Sequence, residues 1–116
     1  SSSSRIYFNA NGVVQALKRK ELNLASEIAT KMQREGLILN MGMYRSMLSA
    51  FAAEGNAELA LHWMTRAMSQ ATQLDTQCHN FAINACAKAS QPESAELVYS
   101  WMQDNGIFAD VVTFNS

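Results

Sequence analysis

Few side chains in this sequence are able to carry covalent or acid–base chemistry. The two histidines, His62 and His79, are the candidates for proton transfer near neutral pH. No serine, cysteine or aspartate stands at the arrangement a hydrolytic triad needs. His79 therefore reads as a packing side chain, and His62, beside Trp63, as a surface one. Cys78 and Cys86 stand eight residues apart, which is not a zinc spacing, and no histidine pair completes a ligand set. Two cysteines do not make a disulfide framework either, so they read as free, mostly buried thiols in a reducing compartment. Lys18-Arg19-Lys20 is the one basic run. Such a run complements the negative end of a helix dipole, or it contacts phosphates. Of seven methionines, Met32, Met64 and Met102 sit where a core needs them. Met41, Met43 and Met47 gather near one helix start, where an adaptable partner groove is an alternative to core packing. The residues contain no catalytic constellation and call for no metal or cofactor. That points to binding or architecture rather than to an enzyme.

The elements that position these residues follow from composition and period. The chain has 116 residues, 48% hydrophobic and 16% charged, with one proline and five glycines. That suffices for one folded core and favours helices over a sheet with many tight turns. The formal net charge of −1 removes the simplest argument for nucleic-acid binding, a strongly basic domain, but says nothing about a local basic stripe. No run of about 18 apolar residues is present, so no membrane span is expected. Residues 1–5 begin with a serine run and read as a linker.

Sliding the chain against itself by 35 residues aligns seven columns without a gap. Ala25, Ala60 and Ala95 share one. Val13, Leu48 and Ile83 share another, Ile28, Trp63 and Val98 a third, and Leu17, Ala52 and Ala87 a fourth. Met32, Ala67 and Met102 align, as do Gly36, Ala71 and Gly106, and Asn40, Asp75 and Asp110. The units run 6–40, 41–75 and 76–110, and Val111 to Ser116 opens a fourth. Each unit reads as two helices: apolar residues recur at helical spacing, Pro92 and Glu93 suit a first turn, Asn56 an N-cap, and Gly36, Gly55 and Gly106 the stops. In the first unit the helices are expected near 9–19 and 22–35. A seventh helix is expected to start near Thr113. Two short antiparallel helices cannot bury their apolar faces alone, so stacked pairs share a core. The fold class is all-α, an α-α superhelix (solenoid) of antiparallel helix pairs. The alanine column predicts close helix contacts, with Ala60 and Ala95 nearly fully buried.

The segments Asp110-Val111-Val112-Thr113-Phe114-Asn115-Ser116, Asn80 to Ala89, and Ala95-Glu96-Leu97-Val98-Tyr99 with Trp101-Met102 and Asn105-Gly106-Ile107 resemble the pentatricopeptide repeat family. The resemblance runs from Ile6 onward and is strongest in the third unit. It implies single-stranded RNA as partner, one base per unit, read by a unit's fifth and last residues on the concave face. In the third unit these are Asn80 and Asp110, a pair the family uses for uridine. In the fourth the fifth residue is Asn115. In the second unit they are Arg45 and Asp75, which as an alternative simply form a salt bridge. In the first they are Ala10 and Asn40, and alanine cannot read a base edge. The resemblance also implies backbone contacts from Lys18 and Lys88, with Ala53 in that place in the second unit, and an apolar base-sandwiching residue at Val112, where Tyr7, Gly42 and Gln77 fit less well.

Two functions remain open. One is an RNA-binding module for an organellar transcript, in a mitochondrion or chloroplast by the resemblance. The other is a helical scaffold contacting protein subunits of a larger organellar assembly.

Overall fold

The computed structural model describes residues 10–70, 72–104 and 106. The expected linker at 1–5, the fourth unit at 111–116, its helix near Thr113, and Tyr7, Asp110, Val112 and Asn115 lie outside the described residues. Among the described residues there are six helices: α1 (Ala10–Lys18), α2 (Leu22–Arg34), α3 (Met41–Glu54), α4 (Ala57–Ser69), α5 (Thr76–Lys88) and α6 (Pro92–Asp104). No strand occurs among the described residues. The described residues form an all-helical stack of hairpins, as the period predicted.

The turns inside the hairpins repeat as strictly as the helices. Lys20, Gly55 and Ser90 adopt left-handed backbone, with φ of 63°, 68° and 59°. The next N–H in each turn (Glu21, Asn56, Gln91) donates to the carbonyl five residues back (Ala16, Phe51, Cys86) at 2.9, 2.8 and 2.9 Å. This is the six-to-one bond of a Schellman ending, which satisfies a carbonyl the helix leaves open. Asn56 then caps α4, its side-chain oxygen accepting from Leu59 N at 3.0 Å. Pro92 opens α6 with Glu93 in its first turn. Gly36 closes the first unit and Gly106 follows α6, both with positive φ.

Each hairpin packs on itself, and the first helices α1, α3 and α5 also pack on one another in order. α2 touches α3, and α4 lies on α5. The apolar columns fill the space between. Val13, Leu48 and Ile83 are buried, as are Ile28, Trp63 and Val98, and Met32, Ala67 and Met102. Full burial of a side chain the size of Leu48 or Phe51 is worth roughly 1.5–3 kcal/mol. Trp63 spans two units: its indole N–H donates to Ser26 Oγ at 2.9 Å, and the Arg66 guanidinium lies 5.4 Å from its ring centroid. Gln33 joins the same seam, bonded to Arg66 and, at 2.9 Å, to Gln70.

Three expectations resolve here. Met43 and Met47 are core residues, and Met41 packs half-buried against them, so this cluster is no open groove. Cys78 and Cys86 are free and buried. Ala60 is fully buried, but Ala95 is only half-buried. The difference has a physical cause. α2 and α4 each pack on their own first helix and on the first helix of the following unit, whereas α6 packs chiefly on α5 among the described elements. Ala87, in the column of buried Ala52, is likewise exposed.

Candidate nucleic-acid interface

The last residues of the first and second units, Asn40 and Asp75, are first of all helix caps. Asn40 Oδ1 accepts from Met43 N at 2.9 Å and Asp75 Oδ1 from Cys78 N at 2.9 Å, each side chain opening the first helix of the following unit. Sequence reading assigned this column to base contact and missed the cap. The signal was there: asparagine or aspartate directly before a run of helical periodicity is a start mark.

A carboxylate caps with one oxygen and keeps the other. Asp75 Oδ2 lies 3.2 Å from Arg45 Nε, with both side chains partly exposed. The fifth and last residues of the second unit are thus brought together, in the salt bridge that their chemistry suggested. Burial alone pushes the Asp75 carboxyl up. The hydrogen bonds from Cys78 and the charge and hydrogen bond of Arg45 outweigh it, so Asp75 sits below the ordinary aspartate value. Beneath it Cys78 moves the opposite way. Burial, and then the hydrogen bond and negative charge of Asp75, push its thiol up to about 12. A thiol so held is no nucleophile at neutral pH. Cys86 is also raised by burial.

In the third unit Asn80 is half-buried on α5; Asp110, the last residue of that unit, is outside the described residues. In the first, Ala10 and Asn40 are both exposed and offer no paired polar groups. Of the backbone candidates, Lys18 is exposed at the end of α1. Lys88 reaches across to the second unit, where its ammonium donates to Ala53 O at 3.0 Å. It crosses over Gly55, where an added Cβ would stand 3.0 Å from Lys88 Cβ. Ala53, the gap in the lysine column, therefore still meets a lysine, borrowed from the next unit. The rest of the basic run is paired at the surface: Arg19 with Glu21 at 3.9 Å and Lys20 with Glu54 at 3.5 Å. Gly42 and Gln77 are exposed and give no sandwiching side chain.

Charge divides between the two kinds of helix. α1, α3 and α5 carry Lys18, Arg45 and Lys88 and one acid, Glu54 at the end of α3. α2, α4 and α6 carry five acids, three of them on α6, against Lys31, Arg34 and Arg66. A net charge near zero thus conceals a relatively basic set of first helices and a relatively acidic set of second helices. Exposed Ser46, Ser49 and Asn84 stand among the three cations.

His79 is buried as expected. One ring nitrogen, Nδ1, lies 2.9 Å from Asp75 O, and Nε2 has no partner among the described residues. It lines a cleft of about 550 Å³ with Thr72, Trp101 and Asp104. One unit earlier Tyr44 lines the equivalent cleft, with its hydroxyl accepting from Gln33 Nε2 at 3.3 Å. Among the described residues no group of acidic, histidine and cysteine side chains is placed to hold a metal ion, and no helix is long and apolar enough to cross a membrane. The arrangement presents donors, acceptors and cations on a repeating frame. No curated protein matches the chain. Residues 27–70, from within α2 to the end of α4, match the family model of the pentatricopeptide repeat domain.

Proposed function

We propose that the chain binds single-stranded RNA along the exposed side of α1, α3 and α5, in organellar RNA processing, stability or translation. The pentatricopeptide repeat match supports RNA binding in general, because this is a helical-repeat RNA-binding family. The observation that carries the reading to this surface is the charge division between first and second helices, with Lys18, Arg45 and Lys88 on the former. A strand of equal steps is matched by units of equal spacing. On this reading Asn80 with Asp110, Asn115, and Arg45 with Asp75 meet bases. Lys18 and Lys88 meet phosphates, and Val112 packs on a base. The mitochondrion or chloroplast as the site of action rests on the family alone.

Fluorescence anisotropy of labelled single-stranded RNA over a salt series tests the reading. Binding that weakens with salt is expected, and Lys88→Ala is expected to weaken all sequences alike and lower the salt slope by about one. Absence of salt-dependent binding at any accessible concentration overturns it. The second reading, a scaffold for protein subunits, draws on the engagement of Arg45 by Asp75 and of Lys88 by Ala53 O, which ties two of the three cations to the protein itself.

A further inference from the structure

We propose that the cleft between the second and third units is a docking site for an arginine side chain of a partner protein. None of the residues assigned to RNA above lines it, so the inference stands apart from the RNA reading.

One unit earlier, the chain fills the same seam itself. There Gln33 bridges three groups. Its Oε1 accepts from Arg66 Nε, and its Nε2 donates to Gln70 Oε1 at 2.9 Å and to the Tyr44 hydroxyl at 3.3 Å. The Arg66 guanidinium lies over the Trp63 ring. An internal arginine thus plugs that seam, where the remaining cleft measures about 340 Å³. In the next seam the corresponding residues, 35 positions on, all differ. Met68 replaces Gln33, His79 replaces Tyr44 and Trp101 replaces Arg66. The bridging amide and the guanidinium are gone, and the cleft measures about 550 Å³.

Acceptors without donors stay behind. His79 is 2% exposed. Its Nδ1 lies 2.9 Å from Asp75 O, a carbonyl that only accepts, so Nδ1 carries the hydrogen. In the neutral ring Nε2 is then a bare acceptor on the edge away from that tie, and it has no partner among the described residues. A buried polar atom left in this state calls for a donor. Asp104, on the wall of the same cleft, is exposed and makes no ion pair among the described residues. α6 carries Glu93, Glu96 and Asp104 and no lysine or arginine. Met68, Leu74 and Trp101 add apolar wall. The complementary group therefore brings several N–H donors, a positive charge and a flat face. A guanidinium has all three. An ammonium lacks the flat face, and a neutral amide lacks the charge. Arginine presented between apolar neighbours fits a cleft of this size, and arginine is what the chain itself places in the preceding seam.

The test titrates the ¹⁵N-labelled chain with acetyl-Leu-Arg-Leu-amide and with the same peptide carrying lysine or glutamine in place of arginine. The arginine peptide is expected to shift His79 Nε2, observed through its ring protons, and the backbone amides of Thr72, Leu74 and Asp104. Half-saturation is expected at about a tenfold lower concentration than with lysine or glutamine. Asp104→Asn, an exposed substitution, is expected to raise it about threefold. Met68→Gln combined with Trp101→Arg rebuilds the plug of the preceding seam; with the fold confirmed by the backbone amide spectrum, it is expected to abolish the response. Equal responses to the three peptides mean an unspecific apolar contact and overturn the proposal. A response that survives in the plugged chain also overturns it. So does the absence of any response at His79, which means that water or the chain itself fills the cleft. None of these outcomes bears on RNA binding, which the anisotropy measurement decides separately.

Discussion

Ser90→Gly is expected to stabilise the chain, and the reason lies in three turns with one geometry. Lys20, Gly55 and Ser90 occupy the same place in successive units and share a left-handed backbone. Only the second unit has glycine there. For a residue with a Cβ, this conformation costs roughly 1–2 kcal/mol. Glycine removes that cost but adds freedom to the unfolded chain, worth about 0.4–1 kcal/mol in the other direction. The net gain is about 0.5–1 kcal/mol, because the bond from Gln91 N to Cys86 O at 2.9 Å is kept. For a chain of this size that is a rise in Tm of about 2–5 °C, read by circular dichroism at 222 nm. The converse substitution sharpens the test. Gly55→Ala incurs the left-handed cost and also brings a Cβ to 3.0 Å from Lys88 Cβ, so it is expected to lower stability by more than Ser90→Gly raises it. It is also expected to disturb the lysine that crosses there to Ala53. A Tm unchanged or lowered by Ser90→Gly, together with a silent Gly55→Ala, would refute the claim that left-handed strain is stored in these turns.

Four further outcomes are expected. Asp75→Ala removes the α5 cap and is expected to cost about 1 kcal/mol, whereas Asp75→Asn keeps an accepting oxygen and loses only an exposed ion pair, at under about 0.5 kcal/mol; urea unfolding of both separates the two. Because folding lowers the Asp75 carboxyl, its contribution is present above the ordinary aspartate value and disappears as pH falls through the lowered one; the acid side of the stability–pH curve is expected to flatten in Asp75→Asn. Ala60→Leu overpacks a fully buried contact and is expected to cost roughly 1–3 kcal/mol, with Ala95→Leu costing clearly less; equal losses in thermal unfolding contradict the packing described for α6. His79→Phe deletes Nε2, a buried nitrogen without a partner among the described residues, but also the Nδ1 contact with Asp75 O at 2.9 Å; the two effects are of similar size and opposite sign, so stability is expected to stay within about 1 kcal/mol, and a larger loss in urea unfolding means that Nε2 is satisfied in solution as well.

The fold was legible because period and punctuation agree. Columns such as Ile28, Trp63 and Val98 repeat at one spacing, and Asn56, Pro92 and Gly106 mark helix ends by mechanisms that act within a few residues. Local signals of this kind survive in a single sequence. What escaped was relational. Nothing in the residues before it announces that Ser90 is left-handed, since serine rarely is; only its alignment with Gly55 does. That Lys88 binds the carbonyl of Ala53 depends on a contact across 35 residues. The burial of Ala60 and the partial exposure of Ala95 differ because α4 has a following first helix to pack on and α6, among the described elements, has not. The candidate site was half legible. The meeting of Arg45 and Asp75 was foreseen from opposite charge on two repeat columns. The cap that Asp75 forms is also a local signal, an aspartate directly before a run of helical periodicity.

RNA lying against the first helices would show itself in a map of perturbed backbone amides. The ¹⁵N-labelled chain is titrated with a mixed-sequence single-stranded RNA at low salt, and perturbed amides are placed on the fold. The predicted result is a continuous set of shifts along the exposed sides of α1, α3 and α5, including Lys18, Arg45, Asn80, Asn84 and Lys88, that fades as salt is raised. Shifts confined to α2, α4 and α6 would contradict the claim, and so would a spectrum unchanged by RNA.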